Sequence, residues 1–135
     1  MSLLNLFQKT KPKIFADPEK WNKMCDMWVK GEMQSPYSEL MTYQGEVYNG
    51  GHYQYFDNVG SEGTLEKDMK QLEAILPSKF RKNLKKAYKA YLILEENDDE
   101  NEKAEDIIAK CDDTFYDNEG EINQILERYA GEIEL

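Results

Sequence analysis

Between Tyr43 and Gly60 the chain reads Tyr-Gln-Gly-Glu-Val-Tyr-Asn-Gly-Gly-His-Tyr-Gln-Tyr-Phe-Asp-Asn-Val-Gly, which sets two helix-stop signals around a short aromatic segment. Glycine just past a helix can take the left-handed conformation, which costs any other residue roughly 1–2 kcal/mol. The spacing therefore predicts that a helix carrying Leu40, Met41, Tyr43, Val47 and Tyr48 stops at Asn49-Gly50-Gly51, where the chain turns. His52 to Asp57 leaves room for a helix of only about one and a half turns, with Tyr53 and Phe56 on one face. Asn58-Val59-Gly60 closes it with a second stop of the same kind.

Elsewhere apolar residues recur with helical spacing. Asp17-Pro18-Glu19 opens a helix with an N-cap, a proline at the first position and an acid near the positive dipole end. Trp21, Met24, Cys25 and Trp28 follow at i, i+3, i+4, i+7 and predict that it reaches about Met33. Ser35-Pro36 repeats the opening. Leu65, Met69, Leu72, Ile75 and Leu76 predict a helix from Thr64 to Leu76, ended by Pro77, and Ser78 is placed to start the next. That next helix, from Ser78 to about Glu95, has the apolar row Phe80, Leu84, Ala87, Tyr88, Tyr91 and Leu92 and a basic outer face of Lys79, Arg81, Lys82, Lys85, Lys86 and Lys89. Ala104, Ile107, Ile108, Cys111 and Phe115 predict one further helix, and Ile122, Ile125, Leu126 and Tyr129 a last one from Asn118 to Ala130. No apolar/polar alternation of strand length interrupts them. The expectation is an all-α fold, one compact domain over residues 1–135 with about six or seven helices and an N-terminal arm at 1–16.

A chain of 135 residues with a 40% apolar share is long and apolar enough for one core. The net charge is 17 − 27 = −10, and it is unevenly placed. Residues 1–94 carry 14 basic and 11 acidic side chains, net +3, whereas 95–135 carry 3 basic and 16 acidic, net −13. Such a surface repels nucleic acid and anionic lipid and attracts basic proteins. Within it, Asn97 to Glu102 reads by composition as an acidic linker and, if ordered, as a helix N-terminus. Cys25 and Cys111 stand far apart and His52 is the single histidine, so no zinc site is expected and both cysteines read as reduced, half-buried core residues. The N-terminus carries neither a basic leader nor an export-length apolar run, and no segment has transmembrane length; a cytoplasmic location is expected.

Three constellations are candidates for chemistry. Asn49, His52, Gln54 and Asn58 gather amides and one imidazole about a tight turn, either lining a small polar pocket or, with Asn49 and Asn58 as helix caps and Gln54 bonding backbone, serving the fold. Asp112, Asp113, Asp117, Glu119 and Glu121 invite a calcium loop, but Gly120 at the sixth position puts Phe115 at the first and Leu126 at the twelfth, which fails at both essential ligands. The basic face beginning at Lys79 is either a nucleic-acid footprint or a counterweight to the acidic third, and the overall charge favours the second. No catalytic residue, metal or cofactor is expected.

The segment Glu46 to Gly60 resembles the signature of the DNA-mimic protein 19 family, roughly Glu-Val-x-Asn-Gly-Gly followed by Gln-x-Phe-x-Asn and a glycine. Glu46, Asn49, Gly50, Gly51, His52, Gln54, Phe56 and Asn58 are the residues expected to form this signature or a possible pocket. Asp113-Thr114-Phe115-Tyr116 resembles the family's second element, so the likeness spans about Leu40 to Tyr129, with Gln44-Gly45 standing where a helix-favouring pair is more usual. The resemblance implies an all-helical protein whose negative surface imitates the phosphate rows of duplex DNA and occupies a DNA-binding protein such as a transcription factor.

The function expected on these grounds is an acidic, non-enzymatic interaction protein whose partner is a basic, DNA-binding protein, with no direct nucleic-acid or membrane contact and with a homodimer left open. The carboxylates expected to meet the partner are Glu95, Glu96, Asp98, Asp99, Glu100, Glu102, Glu105, Asp106, Asp112 and Asp113. Two alternatives stand beside it: a small-molecule or peptide binder using the corner from Gln44 to Asn58, and an immunity-type inhibitor of a basic nuclease.

Overall fold

The computed structural model describes residues 17–96 and 101–135. These form five α-helices and no strand: α1 (Pro18–Val29), α2 (Tyr37–Ser61), α3 (Leu65–Ile75), α4 (Ser78–Glu96) and α5 (Glu102–Gly131). The all-helical class matches the sequence reading, but the described residues make five helices rather than six or seven. The N-terminal arm at 1–16 and the acids Asp98, Asp99 and Glu100 lie outside the described residues.

Two predicted breaks account for the lower count. At the first, Gly51 alone leaves the helical region (φ 81, ψ 178), and the helix resumes at once, so Asn49-Gly50-Gly51 kinks α2 instead of ending it. Nor does α2 stop at Asn58-Val59-Gly60. The Asn58 side chain is taken up by Glu46, the helix runs on to Ser61, and Gly63 (φ 82) makes the turn. At the second, α5 continues for 30 residues through Asn118 and Gly120. Asn118 donates its side-chain amide to the Thr114 carbonyl one turn back at 2.8 Å, and Gly120 keeps a negative φ. The helix α1 also ends earlier than Met33, because Gly31 (φ 74) turns the chain after Val29.

Of the predicted openings, the one at Ser35-Pro36 does not repeat the first: Pro36 itself stands at the N-cap of α2 with no side-chain cap bond, and the Ser35 hydroxyl donates to Glu39 Oε2 at 2.7 Å. The others hold. Asp17 accepts from the Glu19 amide at 2.9 Å, Thr64 stands at the N-cap of α3, and Asn101 accepts from the Ala104 amide at 3.0 Å at the start of α5. The core lies where α5 crosses α1, α2 and α4, and its largest fully buried side chains are aromatic: Trp21, Tyr43, Tyr55, Phe56, Phe80 and Phe115. Tyr43 meets Tyr55 and Phe115 edge to face, with centroids 5.1 and 5.5 Å away. Buried Asn83 of α4 donates to the Cys111 carbonyl of α5 at 2.8 Å, a polar contact that fixes the pairing of the two helices. Cys25 and Cys111 are both buried, more deeply than the half-buried positions expected.

Two substitutions probe this packing. Gly120 sits inside α5 with nothing within 4 Å of an added Cβ. Gly120→Ala is therefore expected to stabilise the chain by about 0.5–1 kcal/mol, read as a higher urea midpoint. The second concerns Asp68, whose carboxyl is pushed up first by burial and then by neighbouring Glu39. A carboxyl raised in the folded state binds protons more readily there than in the unfolded chain, so its ionisation lowers stability as pH rises through the raised value. Asp68→Asn should raise Tm at pH 7, and the gain should fade below about pH 4, where both states are protonated.

Candidate partner-binding surface

Helical geometry sorts the side chains of α5 into two opposed stripes. Ala104, Ile108, Cys111, Phe115 and Ile122 face the core. Glu102, Asp106, Asp113 and Asp117, at i, i+4, i+11 and i+15, fall within a sector of roughly 60° on the opposite side and span roughly 22 Å of axis. All four are exposed, and exposed Glu105 flanks them. Among the described residues none of these five forms an ion pair. Lys103 and Lys110 border the row without closing on it.

The remaining candidates are placed differently. Glu96 is exposed at the end of α4. Glu95 accepts the Tyr53 hydroxyl at 2.7 Å, and that bond, ahead of burial, pushes the tyrosine up to about 12. Asp112 leaves the row entirely and turns inward. Asp117, considered above only as a calcium-loop ligand, joins the row; its position four residues after Asp113 was the signal for that. The basic face of α4 does not neutralise the row either. Lys79 pairs with Glu121 and donates to Asn118 at 3.0 Å, and Lys85 pairs with Glu73 of α3 at 3.3 Å.

The inward turn of Asp112 explains the aromatic and glycine-rich segment of α2. In an unbroken helix the His52 amide would be given to the carbonyl four residues back. After the kink at Gly51 it is donated to Asp112 Oδ1 at 2.8 Å, and the same oxygen lies 2.7 Å from His52 Nδ1. The imidazole is fully buried, and its Nε2 is 2.7 Å from the Tyr43 hydroxyl. A carboxylate only accepts, so Nδ1 carries a proton facing Asp112, and Nε2 shares a hydrogen bond with the Tyr43 hydroxyl. Burial pushes the Tyr43 hydroxyl well up, which keeps it a donor. Gly51 is required twice over: its φ is positive, and an added Cβ would stand 2.5 Å from Asp112 Oδ2.

The polar groups of this corner are spent on one another. Gln54 and Asn58 both donate to Glu46 Oε2, at 3.0 and 2.8 Å, across the kink. The expectations that Asn58 caps a helix and that Gln54 bonds backbone are thus corrected: a carboxylate one helical limb away takes both amides. Gln54 also lies over Gly50, where a Cβ would collide with its amide oxygen. Asn49 is exposed, while Phe56 is buried against Tyr88 and Tyr91 at 5.3 and 5.1 Å. Gln44 donates to Asn123, and Tyr116 donates to the Val47 carbonyl at 3.0 Å.

The kink is thus a socket for the middle of α5. Asp112 and Phe115 enter it, exposed Tyr116 reaches across to the Val47 carbonyl, and Asp113, about 100° further round the helix from Asp112, is delivered to solvent. The two sequence elements noted above, the glycine-rich segment and Asp-Thr-Phe-Tyr, are halves of one joint that sets the azimuth of the acidic row.

Compared with known proteins, residues 37–133 match the family described as DMP19-like protein, a stretch that takes in α2 to α5. Neither curated proteins nor solved structures provide a match.

Proposed function

This chain belongs to the DMP19-like protein family, and from that premise we propose that it acts by binding alone, as a DNA mimic that occupies the DNA-binding surface of a basic partner in the cytoplasm. The observation that carries the reading is the exposed row Glu102, Asp106, Asp113 and Asp117 on the outer face of α5. One helical turn advances its charges by roughly 6 Å and the two-turn step by roughly 10.5 Å. Successive phosphates along one DNA strand advance roughly 3.4 Å along the axis, so two and three steps make roughly 6.8 and 10.2 Å. A partner whose lysines and arginines are spaced for a phosphate strand therefore finds acceptors at a comparable pitch.

Rigidity supports the same reading. A flexible acidic tail must be ordered on binding, and that entropy is subtracted from affinity. Here the row is fixed in advance by the Asn101 cap at one end and the Asp112–His52 joint in the middle. Immobilised protein exposed to cell extract should retain basic DNA-binding proteins at 50 mM salt and release them by 500 mM, because ions must return to both surfaces. Duplex DNA should compete for the retained protein. Retention that survives high salt, or that duplex DNA leaves untouched, excludes mimicry.

A further inference from the structure

The basic face of α4 is not used up inside the chain. Lys79 pairs with Glu121 and Lys85 with Glu73, but Lys82, Lys86 and Lys89 are exposed and form no ion pair among the described residues. At i, i+4 and i+7 these three fall within a sector of roughly 60° and make a row of their own. It lies on the side of α4 opposite Phe80, Leu84 and Tyr91, which pack on the core. The acidic row stands likewise opposite Phe115 and Ile122 of α5. Each helix turns its row away from the core they share, so the two rows run side by side on the outer face of the α4–α5 layer.

Their registers match. The two helices are antiparallel: Lys79 donates to Asn118, Asn83 donates to the Cys111 carbonyl, and Ala90 packs with Ala104 and Ile108. Asn83 level with Cys111 sets Lys82 at the height of Asp113 and Lys89 at the height of Asp106, to within roughly one residue rise of 1.5 Å. Both intervals are seven residues, roughly 10.5 Å of axis. Within one chain the matched residues sit on neighbouring helices and point outward together. A second copy turned about a two-fold axis parallel to the helices lays α4 of each copy over α5 of the other, antiparallel and with heights unchanged. Lys82 then faces Asp113 and Lys89 faces Asp106, twice over. A two-fold across the helices would set each row on its own copy.

We propose that this face is a self-complementary interface, through which two copies of the chain associate reversibly by pairing Lys82 with Asp113 and Lys89 with Asp106. Exposed pairs of this kind are individually weak and screened by salt. Lys110, exposed on the flank of α5 between the rows, is set near its own copy and keeps the association loose. The inference does not rest on mimicry, but it bears on it: a paired copy hides Asp106 and Asp113, so self-association and capture of a basic partner exclude one another there.

The test is sedimentation equilibrium of the full chain at up to about 0.5 mM protein. At about 50 mM salt the apparent mass should rise toward twice that of the chain, and at about 500 mM it should return to the monomer. Lys82→Glu with Lys89→Glu, or Asp106→Lys with Asp113→Lys, should each weaken association about tenfold or more. An equimolar mixture of these two variants should regain it, because every facing pair is again opposite in charge, and that recovery also shows that both are folded. Lys85→Gln with Glu105→Gln removes one base and one acid from the far flanks at constant net charge and should leave association unchanged. A chain that stays monomeric at low salt, a dimer that survives high salt or either reversal, a mixture that fails to associate, or an equal loss in the flank variant would overturn the interface. If self-association is absent while DNA-competed capture persists, mimicry stands without it. If capture fails while the mixed reversal variants associate, mimicry falls and the interface stands.

Discussion

Gly51→Ala is expected to lower stability by about 3–5 kcal/mol, the largest effect of any single substitution considered. The backbone at φ 81 and ψ 178 lies in a region open essentially to glycine alone, and occupying it with another residue costs about 1–3 kcal/mol. The added Cβ also arrives 2.5 Å from Asp112 Oδ2 and pushes the carboxylate away from His52. Two hydrogen bonds depend on that carboxylate, and bonds to a charged group contribute about 1.5–3 kcal/mol each when lost from the interior. For a domain of this size the total corresponds to a Tm lower by roughly 10–15 °C, measurable by calorimetry and checked against the urea midpoint. Gly50→Ala is the comparison: Gly50 has no positive φ, and its Cβ meets the Gln54 side chain from the amide down to the Cβ at 3.0 Å, so the loss should be smaller and confined to the Gln54–Glu46 hydrogen bond. In a double-mutant cycle Asp112→Ala should absorb part of the Gly51→Ala loss, because the collision disappears with the carboxylate. A Gly51→Ala loss below 1 kcal/mol would mean that the joint is not what holds α2 to α5.

Neutralising the row with Glu102→Gln, Asp106→Asn, Asp113→Asn and Asp117→Asn should abolish capture of the basic partner while leaving the fold intact. With about 1 kcal/mol for each interfacial charge at low salt, the four together amount to about a thousandfold in affinity. The dependence on salt should flatten at the same time, because fewer ions are exchanged. All four residues are exposed and none is in an ion pair among the described residues, so the unfolding midpoint should move little. Converting Lys82, Lys86 and Lys89 of α4 to glutamine is the reciprocal control and should leave capture unchanged or strengthen it. A quadruple variant that binds as well as the parent would place the interaction on another surface.

Helix periodicity and capping were readable in the sequence because they are local. Asp17-Pro18, Thr64 and Pro77 mark boundaries through contacts within one or two turns, and the structure reproduces them closely. The misreadings arose where a distant group decides. Whether Gly51 ends a helix or kinks it depends on Asp112, 60 residues away, which takes the amide that the turn releases. Whether Asn118 stops α5 depends on Lys79, 39 residues away, which donates to its side-chain oxygen at 3.0 Å. The acidic surface was legible as a charge imbalance but not as a pattern. Composition could not separate Asp112, which faces inward, from Asp113, which faces out, although reading the helix unbroken from Glu102 would have sorted them.

Keeping packing and presentation on opposite stripes of a single rod has an evolutionary corollary. The inner stripe of α5 is locked to three other helices, whereas Glu102, Asp106, Asp113 and Asp117 on the outer side are exposed and in no ion pair among the described residues. Charges can therefore be added, removed or shifted by one turn through single substitutions that leave folding untouched. A scaffold of this kind can be retuned to a new target by drift along one edge, with no need to invent a new architecture.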